Sequence, residues 1–78
     1  MIDFQDLARK WPSTIVARTE VGRFSGGLIS PAYLRNLDSQ GLGPAKKVRI
    51  GQKIAYPADE LARWLASRVR VEAGGKAA

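Results

Sequence analysis

The chain has 78 residues, 13 Lys+Arg against 7 Asp+Glu, no His and no Cys, for a formal net charge of +6. This length fits one small domain, and the missing Cys and His exclude a disulfide framework, the usual zinc sites, thiol nucleophiles and the commonest general base. With 45% hydrophobic and 26% charged residues the chain reads as a folded domain rather than a basic tail, and neither an enzyme nor a cofactor is expected.

Ile2, Phe4, Leu7, Ala8 and Trp11 share one face of a short first helix, with Asp3 and Asp6 at its positive end and Arg9 and Lys10 at its negative end. Pro12 ends it, because the residue before proline is pushed out of the helical region. Ser13 to Ala17 is β-branched and predicts an extended connector. Thr19 is the expected cap of a second, very short helix that buries Val21 and Phe24 and stops at Gly26-Gly27.

Ser30-Pro31 is the clearest helix start, since serine caps the free backbone donors and proline at the first position has no donor to lose. Leu34 and Leu37 face the core, which leaves Ala32, Tyr33, Arg35, Asn36 and Ser39 on the outer face and flanks. The turn Gly41-Leu42-Gly43-Pro44 follows. It lacks the preceding strand and the third glycine of a dinucleotide loop.

Residues 46–56 hold two extended stretches around Gly51-Gln52 and predict a β-hairpin, with Val48, Ile50, Ile54 and Tyr56 over the core and the basic residues outward. Pro57 opens a last helix with an apolar stripe of Leu61, Trp64, Leu65 and Val69, acids Asp59 and Glu60 in its first turn, and Arg68 and Arg70 near its end. Trp64 is read as a core anchor. Residues 1–73 form one domain and residues 74–78 a flexible tail.

The charge is uneven. Residues 9–53 carry nine bases against two acids, Glu20 and Asp38, whereas residues 54–78 carry four bases against three acids. A basic centre between balanced flanks suits phosphate docking. No apolar run approaches the roughly 20 residues of a membrane span and the N-terminus lacks signal-peptide character, so a cytoplasmic location without membrane contact is expected.

The order helix, connector, short helix, turn, helix, hairpin, helix is that of a winged helix-turn-helix, mainly α with a two-stranded wing. Thr19-Glu20-Val21, the segment Ser30 to Asn36, Gly41 to Pro44, Arg49-Ile50-Gly51 and Tyr56 to Leu61 with Trp64-Leu65 occur in the order seen in small MerR-type domains. The chain resembles the phage excisionases and AlpA-like regulators of that group over more than half its length. Its glycine-rich turn and its additional N-terminal helix depart from their pattern, and the long dimerising helix and effector domain of full MerR regulators have no counterpart here.

The resemblance implies sequence-specific binding of double-stranded DNA, in excision or transcription, with no small-molecule effector. Residues 30–40 would enter the major groove, presenting Ser30, Ala32, Tyr33, Arg35 and Asn36; arginine suits guanine and asparagine adenine. Tyr33 is equally open to core packing. Lys46, Lys47, Arg49 and Lys53 would touch backbone or minor groove from the wing, although Lys46 and Lys47 fit a solvated loop as well. Arg18 and Arg23 would hold the backbone or simply solubilise the second helix. Self-association or cooperative binding on DNA stays open. The rival reading is a protein-interaction adaptor that docks through Leu28, Ile29 and Leu42.

Overall fold

The computed structural model describes residues 3–68. Its elements run α1 (Gln5–Lys10), β1 (Ile15–Ala17), a 3-10 turn (Arg18–Glu20), α2 (Val21–Phe24), α3 (Pro31–Ser39), β2 (Val48–Ile50), β3 (Lys53–Pro57) and α4 (Ala58–Arg68). Expectations for Ile2, Val69, Arg70 and the 74–78 tail fall outside the described residues.

The sheet corrects the expected two-stranded hairpin. It has three antiparallel strands in the order β1-β3-β2, because Ile15 to Ala17 of the supposed connector pairs with β3. Val16, fully buried opposite Tyr56, is the residue that makes this pairing favourable. The junction is tied again where the Ala58 N–H donates to the Thr14 carbonyl at 2.8 Å, which gives α4 a partner for one of its free N-terminal donors.

A two-residue turn at Gly51-Gln52 pairs Ile50 with Lys53, Arg49 with Ile54 and Val48 with Ala55. Side chains alternate along each strand, so Arg49, Ile54, Tyr56 and Val16 share one face while Val48, Ile50, Lys53 and Ala55 share the other. The four apolar residues expected over the core are therefore split. Tyr56 is fully buried and Ile54 half-buried, but Val48 and Ile50 are 38% and 64% exposed. The separation of basic from apolar residues fails for the same reason, since Arg49 lies on the core-facing side.

The helices close over that side. Phe4, Val21, Phe24, Ile29, Leu34, Leu61, Ala62 and Leu65 join Val16 and Tyr56 in one core, with α1 laid against α4. Trp11 packs edge-on to Phe24 with centroids 5.4 Å apart and donates its indole N–H to the Ile15 carbonyl at 2.9 Å. Trp64 is half-buried against the core and donates to the Leu42 carbonyl at 3.0 Å, a looser role than the expected anchor.

Capping differs at the two helices of the central pair. Thr19 lies inside the 3-10 turn rather than before α2 and makes no side-chain cap, because β1 runs on to Ala17 and the chain turns at once. Ser30 behaves as read: its Oγ accepts the Tyr33 N–H at 3.1 Å, with Pro31 at the first helical position. At the other end of α3, Leu42 N–H reaches the Leu37 carbonyl and Gly41 N–H the Asp38 carbonyl, a closure that needs the positive φ of 76° at Gly41.

Replacing Ser30 by Ala should destabilise the domain by about 1 kcal/mol in urea unfolding. An unchanged unfolding midpoint would contradict this capping role.

Candidate nucleic-acid interface

Successive residues of α3 turn by about 100°, so Leu34, Leu37 and Asp38 lie on the inner side while Ala32, Asn36 and Ser39 point outward. Leu34 and Leu37 are buried, and Ala32, Tyr33, Arg35 and Asn36 are all exposed together with the cap Ser30. Tyr33, 44% exposed, is not a core residue. It lies on the opposite flank of the helix from Arg35. Arg35 lines a cleft of about 340 Å³ with Arg18, Thr19, Pro31 and Ala32, whereas Tyr33 lines another with Leu28 and Trp64. The structure thus divides the predicted α3 surface into an outward face and two flanks.

The Arg35 cleft has a neighbour. Ala17, Arg18, Thr19, Gln52, Lys53 and Ile54 line a second cleft of about 230 Å³. The two share Arg18 and Thr19, so the 3-10 turn forms the floor between α3 and the β2–β3 hairpin.

Arg18 is held from inside. Its Nε donates to the Tyr56 hydroxyl at 3.0 Å and its Nη2 to Asp38 Oδ2 at 2.7 Å, while the Tyr56 hydroxyl donates to the same carboxylate oxygen at 2.5 Å. The Arg18 and Asp38 side chains are 21% and 6% exposed. Burial alone would lower the affinity of the guanidinium for its proton, but the bonds to Tyr56 and Asp38 outweigh it and the net shift is upward. Arg18 is therefore a structural ion-pair partner, and it also lines both clefts.

Gly43 is part of the same arrangement. A Cβ there would fall on Asp38 Oδ1 and within 3.0 Å of its Cγ, so the loop after α3 can pass only as glycine while the carboxylate stays where it is. In the sequence Asp38 stands only as one of two acids in the basic centre and Gly43 only as part of a turn. Asp38 was detectable in part, four residues after Leu34 on the apolar side of α3; its partners, 20 residues earlier and 18 later, were not.

The other bases separate by pairing. Arg9 binds Asp3 and Asp6, Arg23 binds Glu20 at 3.0 Å, and Arg63 binds Glu60 at 2.8 Å. Arg35, Lys46, Lys47, Arg49 and Lys53 are exposed and have no ion-pair partner among the described residues. Arg23 belongs elsewhere: its guanidinium also stands 5.9 Å from the Trp11 ring centroid, beside α1. It shares a cleft with Asp6 and Lys10 rather than with Arg35.

Of the adaptor candidates, Leu28 and Leu42 are 71% and 50% exposed, but Ile29 is buried in the core at 8%. Leu28 borders a groove of about 460 Å³ with Phe4, Tyr33, Trp64 and Arg68, the last stacked 5.3 Å from the Trp64 centroid. Among the described residues, no cluster of acids has the form of a metal site, and no helix is long and apolar enough to cross a membrane.

No family model matches the chain, and no curated protein or solved structure matches it.

The Tyr56 hydroxyl is pushed up from 10.0 to about 12, first by burial and then by its bond to Asp38, against the opposing pull of Arg18. Folding thus favours the protonated phenol, and the stability this contributes is complete below pH 10, then lost as pH rises toward 12. Urea unfolding compared at about pH 8 and about pH 11 should show a larger loss in the wild-type chain than in Tyr56→Phe. Equal losses would contradict this linkage.

Proposed function

We propose that the chain is a sequence-specific double-stranded DNA-binding protein, excisionase-like or a small transcriptional regulator, and not an enzyme. In this reading the architecture is a winged helix-turn-helix of the MerR type. The 3-10 turn and α2 together serve as its first helix, α3 enters the major groove, and β2–β3 is the wing. The observation that carries it is the pairing pattern: all five bases from Arg35 to Lys53, on α3, on the hairpin and between them, lack an ion-pair partner among the described residues. Of the six described bases elsewhere four are paired, leaving Lys10 on α1 and Arg68, stacked on Trp64, without one. No acid occurs between residues 39 and 57, so nothing in that segment offsets Lys46, Lys47, Arg49 and Lys53.

The outward face of α3 suits base readout. Ala32 is small enough for close approach to a groove floor, Asn36 offers paired donor and acceptor atoms to adenine, and Arg35 offers a fork to guanine. Phosphate contacts from the hairpin would fix the register in which those side chains meet the bases. Tyr33, on the far flank, is placed for the adjoining backbone rather than for the bases beneath Asn36. Arg18 contributes by holding the floor between helix and wing.

A second reading has its own observation. The groove bordered by Leu28, Tyr33 and Trp64 exposes apolar surface away from the basic side, as a protein-docking adaptor requires.

Selection from random duplexes, followed by titration of the recovered site at several salt concentrations, separates the two. Four wing contacts predict a log–log salt slope of roughly −3 to −4, and Lys46→Ala/Lys47→Ala should reduce its magnitude by about 2. Arg35→Ala and Asn36→Ala should each lose about 1–3 kcal/mol of discrimination at one base pair. Absent or salt-independent binding to every duplex would overturn the DNA reading.

A further inference from the structure

We propose, resting on the DNA-binding reading, that Asp38 and Tyr56 are positioning residues that lock α3 to the β2–β3 hairpin through Arg18, so that helix and wing engage a duplex as one coupled unit. The three groups come from three elements: Arg18 from the 3-10 turn, Asp38 from the last turn of α3 and Tyr56 from β3. Their bonds form a closed triangle. Asp38 Oδ2 accepts from both Arg18 and the Tyr56 hydroxyl, and that hydroxyl accepts from Arg18 Nε, so each group is held by the other two.

Such a triangle restricts angle as well as distance, because hydrogen bonds to a guanidinium and a carboxylate are directional and strengthen where water is excluded. It lies where restriction matters. Both α3 and β3 pack on the 3-10 turn, and the clefts on the helix side and the hairpin side meet at Arg18 and Thr19. The chain passes close behind Asp38 at Gly43, where a Cβ would collide with the carboxylate. Arg49, on the core-facing side of β2, and Lys53, lining the hairpin-side cleft, would therefore hold a set offset from Arg35 and Asn36.

A purely structural triad would contribute to folding and leave the two DNA contacts independent. A double-mutant cycle distinguishes these roles: Tyr56→Phe, which keeps the ring in the core, is crossed with Arg49→Ala/Lys53→Ala. Duplex affinity and salt slope are measured well below the unfolding temperature of each variant. Positioning predicts that the hairpin substitutions cost at least about fivefold less affinity in the Tyr56→Phe background than in the wild type, with a shallower slope already in Tyr56→Phe. Additive effects with wild-type binding intact would overturn the coupling and leave the DNA reading standing.

A second measurement does not depend on DNA. Residual dipolar couplings on free wild-type, Tyr56→Phe and Asp38→Asn chains report the orientation of β2–β3 relative to α3. A changed or broadened orientation in both variants supports the lock. An orientation identical to the wild type in either folded variant overturns it, whatever the outcome with duplexes, while failure of the wild type to bind any duplex overturns the DNA reading separately.

Discussion

Burying the Asp38 carboxylate in so small a domain carries a desolvation penalty of several kcal/mol unless cationic and hydrogen-bonding partners are fixed around it. A domain of this size buries only about 60% of its unfolded surface, so it has little hydrophobic surplus to absorb that penalty. The chain meets it with one guanidinium and one phenol drawn from two other elements. Once that carboxylate is buried, the placement of α3, the 3-10 turn and β3 is no longer independent. Gly43 follows from the same constraint, and so does the full burial of Tyr56 on the core-facing side of the sheet.

Using Arg18 internally leaves the remaining bases to define the outer surface. Glu20 and Glu60 each hold an arginine three residues away, and Asp3 and Asp6 share Arg9, so the described acids are largely spent within or beside their own helices. The hairpin receives none. Its edge strand β2 is three residues long with Arg49 at its centre. Antiparallel pairing of two copies in the register centred on that residue would set one arginine against the other. A short, charged edge of this kind discourages strand-to-strand association, which on the proposed DNA-binding reading leaves the hairpin free for a phosphate backbone.

Local chemistry made much of the fold legible. Ser30-Pro31 announced α3, Leu34 and Leu37 announced its buried side, and Gly51-Gln52 announced the hairpin, because each depends on residues within a few positions. Strand β1 is not legible in the sequence, since three residues carry too little periodicity to reveal a partner about 40 positions away. The faces of Val48 and Ile50 are legible from the turn: two residues at Gly51-Gln52 set Ile50 opposite Lys53, and parity then assigns every other residue of the hairpin to a face. At the candidate site, the exposure of Arg35 and Asn36 followed from pattern, whereas Arg49 is exposed although parity puts it on the core-facing side of the hairpin. The internal role of Arg18 did not, because an arginine's partner is decided by tertiary approach and not by its neighbours in sequence.

The account stands on α3 and the hairpin acting together on a duplex, and amide chemical-shift mapping during titration with a selected duplex tests this most directly. Perturbations should gather at Ala32, Arg35 and Asn36 and across Lys46 to Lys53, with Arg18 shifting at the joint and Arg23 and Arg63 silent. Perturbations confined to the groove of Leu28, Trp64 and Arg68, or none at saturating duplex, would contradict it.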